Sequence, residues 1–89
     1  MMDIHEFEEM AFQSLLADIN DQIAALTRQL KVKYVHLLKL KMRVAYLGIE
    51  DLAEDTERKT FVELPKEIAA MEQELKRQGQ RLAKIKSGE

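Results

Sequence analysis

Apolar residues recur at alternating steps of three and four through the first half of the chain. One set recurs every seven residues: Leu16, Ile23, Leu30, Leu37 and Val44. The complementary positions carry a second set: Phe12, Ile19, Leu26, Leu40 and Leu47. Lys33 is the one polar exception in this seam. A seam of about five heptads is typical of a helix that lies along another helix.

The segment 30–47 carries a second apolar set in addition to this seam. Its members are Tyr34, Val35, Leu38, Met42, Ala45 and Tyr46. On a helical wheel they lie roughly opposite the first seam. A helix that is apolar on two faces needs two neighbours, so the pattern predicts two packing surfaces for this segment.

The same segment also alternates in the manner of a β-strand. Apolar residues occupy many of the even positions between 32 and 46, and Lys or Arg occupies several odd ones. Alternation of this kind is typical of a strand with one buried face. However, Leu, Lys, Met, Arg and Ala favour helix, and the run is much longer than a usual strand of about five or six residues. The sequence therefore favours a helix over 31–46, with a strand as the alternative.

The ends of the first helix carry capping signals. Asp3 with Glu6 three residues later predicts a capping box, and Gly48 is placed for a left-handed C-cap. The weakest point between them is 18–21, where short polar side chains compete for backbone hydrogen bonds. We predict one long helix over about residues 3–47, with a break near Asn20 as the alternative.

A second heptad follows. Its positions are Phe61, Leu64, Ile68, Met71, Leu75, Gln78, Leu82 and Ile85. Pro65 suits the first turn of a helix, where its missing N–H costs nothing. The sequence therefore predicts a helix over about 64–86, after a connector over about 48–60. The expected fold is all-α, an antiparallel helical hairpin that forms a single domain over 1–89.

The two predicted helices differ in length, which leaves part of the first helix without a neighbour. The residues expected to be uncovered are Ile4, Phe7, Phe12, Leu15, Leu16 and Ile19. With Val35, Leu38, Met42 and Tyr46 they form the predicted interaction surface. Exposed apolar stripes of this size mark interfaces. We therefore expect a homodimer that forms a four-helix, coiled-coil-like bundle.

Charge is distributed in blocks, although the net charge is only −2. Residues 1–21 contain acids and no Lys or Arg. Residues 28–43 contain six bases and no acid: Arg28, Lys31, Lys33, Lys39, Lys41 and Arg43. An antiparallel pair of chains would set these blocks side by side, whereas a parallel pair would oppose like charges. The six bases are also possible nucleic-acid contacts, although they are spread around the helix.

Candidate chemistry is sparse. The chain has no Cys, and His5 with Glu8 and Glu9 provides too few convergent ligands for a metal site. The paired carboxylates have no partner nucleophile and no shielded cleft that would shift a pKa. The sequence predicts no catalytic residue, no metal, no cofactor and no small-molecule substrate, so the protein is not expected to be an enzyme.

The remaining features limit the location and the class of function. No apolar run approaches about 20 residues, and the acidic start lacks the layout of a secretory signal, so no membrane association and a cytoplasmic location are predicted. We predict a scaffolding protein or chaperone-like adaptor that acts through helix–helix packing and self-association. Its partner is expected to be a second copy, or an amphipathic helix of another protein. The alternative is a small dimeric regulator that binds RNA or DNA through 28–43.

Overall fold

The computed structural model describes residues 3–88, and the regular structure in this range is entirely helical. Helix α1 spans Ile4–Leu47, a short 3-10 helix spans Ile49–Asp51, and helix α2 spans Asp55–Ser87. The two long helices pack against each other along a molecule that is 68 Å long. The all-α prediction is confirmed, and the strand alternative for 31–46 is wrong.

Helix α1 begins and continues as the sequence predicts. The Asp3 carboxylate accepts a hydrogen bond of 3.0 Å from the Glu6 N–H. The helix runs through 18–21 without interruption, so the alternative of a break near Asn20 is wrong. Ile19, inside that segment, is only 1% exposed. Burial of its side chain favours the helical backbone over the local side-chain hydrogen bonds of its polar neighbours.

Helix α1 ends at the expected glycine, but with a different backbone conformation. The Gly48 N–H donates to the Val44 carbonyl at 2.9 Å. Gly48 has a φ of +86° and a ψ of 162°, which is not the left-handed helical region. A Cβ at this position would lie 2.5 Å from Oε2 of Glu50. The positive φ favours glycine here, whereas the exposed Glu50 side chain is able to move away from a Cβ.

The predicted start of the second helix at 64, and with it the connector over 48–60, are wrong. Helix α2 begins at Asp55, the connector covers only 48–54, and Pro65 lies inside the helix. Asp55 and Glu57 in the first turn suit the positive end of the helix dipole, and Phe61 packs against the core. These interactions stabilise the additional turns despite the backbone hydrogen bond that Pro65 cannot donate.

The core lies at the closed end of the hairpin, near the connector. Its buried members come from both helices and from the connector: Leu37, Leu40, Leu52, Leu64 and Ile68. Leu30, Val44 and Phe61 pack against them. The α1 seam from Leu16 to Val44 and every heptad position of α2 are buried or half-buried. The predicted heptad faces are therefore the faces along which the helices pack.

Two ion pairs define how far the helices overlap. Arg43 contacts Glu57 near the connector, and Lys33 contacts Glu67 further away from it. Each step back along α1 therefore corresponds to a step forward along α2, as an antiparallel hairpin requires. At this register Ser87, the end of α2, lies opposite the region near residue 13. Helix α1 extends beyond its neighbour at the N-terminal end.

Candidate interaction surface

The N-terminal segment of α1, residues 4–15, carries exposed apolar side chains, and we call it the N-terminal overhang because most of it lies beyond the end of α2. They are Ile4, Phe7, Met10, Phe12 and Leu15. Four of these were predicted from the sequence, and Met10 was not. The prediction that Leu16 and Ile19 are also uncovered is wrong, because Leu16 is half-buried and Ile19 is buried. The longer α2 reaches this part of α1, so the uncovered region is shorter than expected.

A second exposed surface, which we call the outer patch, lies on the side of α1 away from α2. Its members are Val32, Val35, Leu38, Met42 and Tyr46. The last four were predicted as interaction residues from the sequence, and Val32 was not. Leu37 and Leu40 are buried on the opposite side of the same helical turns.

The large exposed apolar residues are distributed very unequally over residues 3–88. Twelve of them lie in α1, whereas Val62 is the one found in α2 and Ile49 lies in the 3-10 helix. The other exposed positions of α2 carry polar residues, Gly, Ala or Pro. An exposed apolar surface of this extent favours a further packing partner for α1, whereas α2 has no comparable surface.

The six predicted basic residues fall into two groups. Arg28, Lys31, Lys39 and Lys41 are exposed and make no salt bridge within residues 3–88. Lys33, the polar residue of the seam, donates a hydrogen bond of 3.1 Å to Glu67 on α2. Arg43 is also engaged inside the hairpin. Four cations therefore remain available beside the outer patch.

Arg43 ties the closed end of the hairpin together. Its Nε lies 2.8 Å from Oδ2 of Asp51, its Nη1 lies 2.5 Å from Oε2 of Glu57, and its Nη2 donates to the Asp51 carbonyl at 3.0 Å. The hydrogen bond to Asp51, followed by the one to Glu57, raises the pKa of the guanidinium. The guanidinium thus joins α1, the 3-10 helix and α2. These contacts of Arg43 were not predicted from the sequence, although the acidic residues after Gly48 were a signal for them.

Polar residues near the open end are satisfied within α2. Gln78 occupies a seam position and is 5% exposed. Its amide donates to Oε1 of Glu74 at 2.8 Å and accepts from Arg81 at 2.9 Å. The hydrogen bond from Gln78, and then that from Arg77, lower the pKa of the Glu74 carboxyl. Across the hairpin, the Tyr34 hydroxyl donates to Glu72.

The surface depressions are shallow and open. One lies on the outer patch, lined by Lys31, Val32, Val35, His36 and Lys39. Within residues 3–88, no set of three or more His, Asp and Glu side chains is arranged to hold a metal ion. Neither long helix, over the same range, has the length of apolar sequence needed to cross a bilayer. Apolar helix surface with adjacent cations is suited to packing against another helix.

Comparison of the chain with models of protein families, with curated proteins and with solved structures finds no match.

Proposed function

We propose that this protein is a non-enzymatic interaction or scaffolding protein that works by helix–helix packing and self-association through α1. The observation that carries this proposal is the second apolar face of α1. Its inner seam is occupied by α2, yet the outer patch and the N-terminal overhang remain exposed. The function therefore belongs to the surface that the hairpin leaves uncovered.

The geometry of α1 supports the proposal. A helix of 44 residues is about 66 Å long at 1.5 Å per residue. Stable protein interfaces bury roughly 1,200–2,000 Å² in total. Pairing two helices along most of this length is expected to reach that range. Each buried Å² of apolar surface contributes about 25 cal/mol before the entropy costs of association.

Two valines allow a matched test. Val35 lies on the outer patch and is 53% exposed, and Val62 lies on α2 and is 60% exposed. Val35→Glu would bring a carboxylate into the proposed interface, where its desolvation opposes association. We expect the dissociation constant for self-association to rise at least about tenfold in Val35→Glu, and to stay unchanged in Val62→Glu.

The measurement is molar mass by light scattering over a concentration series, at low and high salt, with circular dichroism on the same samples. Association that survives high salt supports apolar packing, whereas phosphate binding would weaken steeply. A helical monomer at every concentration contradicts self-association. Equal weakening by Val35→Glu and Val62→Glu would place the interface elsewhere on the hairpin.

The four free cations support a second candidate, a small dimeric protein that binds RNA or DNA. Arg28, Lys31, Lys39 and Lys41 are exposed on α1 without an acid in the same stretch. Counterion release makes phosphate binding fall with salt, with a slope that counts the phosphates neutralised. If this candidate is right, Lys39→Gln with Lys41→Gln should weaken binding of single-stranded RNA or duplex DNA and should flatten the salt dependence. Retention of both properties would remove this candidate.

A further inference from the structure

A continuous stripe runs along the outside of α1, at alternating steps of three and four residues. We call it the outer stripe; its positions are Phe7, Met10, Ser14, Ala17, Asp21, Ala24, Arg28, Lys31, Val35, Leu38, Met42 and Ala45. All twelve of these residues are exposed. At about 100° per residue, the stripe lies roughly 150° around the helix from the inner seam. It has the spacing of a coiled-coil seam and faces away from α2.

Two copies of the outer stripe are complementary to each other when they run antiparallel. Reversal about Leu26 places Phe7 opposite Ala45, Met10 opposite Met42, Ser14 opposite Leu38, Ala17 opposite Val35, Asp21 opposite Lys31 and Ala24 opposite Arg28. Large side chains therefore meet small ones in several layers, which is how packed cores avoid both voids and clashes. The acid meets a base.

We propose that α1 pairs with α1 of a second copy, antiparallel, through the outer stripe, with Met10 beside Met42 and Asp21 beside Lys31 of the other chain. This inference rests on the proposed self-association and specifies its surface and register. The interface would have apolar ends and a charged centre, where Asp21 of each copy lies beside Lys31 of the other. Opposite charges across an interface favour the correct register and accelerate encounter.

The parallel arrangement is disfavoured by the same residues. It would place Asp21 opposite Asp21, Arg28 opposite Arg28 and Lys31 opposite Lys31, in three of the four central layers. Like charges at facing positions oppose association and act against that orientation. The stripe thus contains both an attractive pattern for one orientation and a repulsive pattern for the other.

The arrangement of the assembly follows from the position of the stripe. Because α2 occupies the inner seam, a second copy on the outer stripe would lie on the far side of α1. The four helices would form a row in the order α2, α1, α1, α2. This is an open layer rather than a closed four-helix bundle.

The chain has no Cys, so single cysteines test the register directly. Met10→Cys and Met42→Cys are mixed under mild oxidation, with one variant isotope-labelled so that mixed and self-linked dimers differ in mass. We expect mixed dimers to exceed self-linked dimers of either variant at least about tenfold. Gln73→Cys on the exposed side of α2 measures random cross-linking. Self-linked Met10→Cys dimers in excess would overturn the antiparallel register and would leave self-association intact.

Charge exchange provides an independent test. Asp21→Lys should weaken association at low salt by about tenfold, and the double variant Asp21→Lys with Lys31→Asp should restore it, because each pair forms between chains. Circular dichroism checks that the hairpin remains helical. A double variant that stays as weak as the single one would overturn this register. A wild-type protein that remains monomeric would overturn the proposed function and the register together.

Discussion

Helix α2 and helix α1 are both built on a heptad, but they differ in what lies outside it. In α2 the seam residues from Phe61 to Ile85 are buried or half-buried, and Val62 is its one large exposed apolar residue. In α1 the seam from Leu16 to Val44 is also buried or half-buried, yet twelve large apolar residues of the helix remain exposed. Contacts within the hairpin cover the apolar face of α2, whereas α1 carries a second apolar face that α2 does not cover.

The strongest test of this difference compares two leucines of α1. Leu40 is 4% exposed in the core, and Leu38 is 49% exposed on the outer patch. Leu40→Ala should reduce the free energy of unfolding by about 2–4 kcal/mol, because it leaves a cavity. Leu38→Ala should cost about 0.5 kcal/mol or less at low protein concentration. Urea unfolding over a concentration series measures both.

The dependence of stability on protein concentration distinguishes the two faces of α1. If the outer patch is an interface, the destabilisation by Leu38→Ala should grow as the protein concentration rises, because association stabilises the folded chain by mass action. The effect of Leu40→Ala on folding of the hairpin itself does not depend on a partner. An effect of Leu38→Ala that is the same at all concentrations would show that α1 has no second neighbour.

A smaller effect is expected on the exposed side of α2. Gly79 lies inside the helix, and a Cβ at this position would meet no atom within 4 Å. Gly79→Ala should therefore increase the free energy of unfolding by roughly 0.5–1 kcal/mol, since glycine loses more backbone entropy on folding. Ala83→Gly, at an exposed position of the same helix, is the mirror control and should decrease it by a similar amount. Weaker self-association in Gly79→Ala would show that α2 also faces a partner.

The smallest effect is a pH dependence at the open end of the hairpin. The pKa of Glu74 is lowered by its hydrogen bonds from Gln78 and Arg77, so the folded state favours the ionised carboxyl. This contribution is present above the ordinary pKa of 4.5 and is lost as the pH falls below it. Glu74→Gln should therefore destabilise the protein at about pH 7 and should have less effect at about pH 3.

The control for Glu74 is Glu63→Gln, at an exposed position of α2. Chemical unfolding at both pH values should give a pH-dependent difference from wild type for Glu74→Gln that exceeds that for Glu63→Gln. Equal differences at the two pH values for Glu74→Gln would contradict the assigned role of the Gln78 and Arg77 hydrogen bonds.

The periodic features of the fold could be predicted from the sequence. The heptads correctly located the faces along which the helices pack, and the absence of Gly and Pro from 4–47 correctly indicated one long helix. Asp3 and Gly48 marked its ends. These signals are local, since each depends on a backbone preference or on a spacing along one helix.

The start of α2 could not be predicted by the same means. Pro65 is a strong local signal for a first turn, but interactions remote in sequence outweigh it. Arg43 of α1 holds Glu57, and Phe61 packs against the core cluster. The error propagated to the candidate surface, because a short α2 would have left Ile19 uncovered. Tertiary packing decided the length of the overhang, and no pattern within 55–64 alone reveals it.

The position of the core near the connector also bears on the order in which the chain folds. The core residues of α1 and α2 that pack around Leu52 are joined by a short connector, so bringing them together closes a small loop at low entropic cost. Contacts near the open end join residues much further apart along the chain. The hairpin is therefore expected to nucleate beside Arg43 and to extend toward Ile19, with the N-terminal overhang becoming helical last.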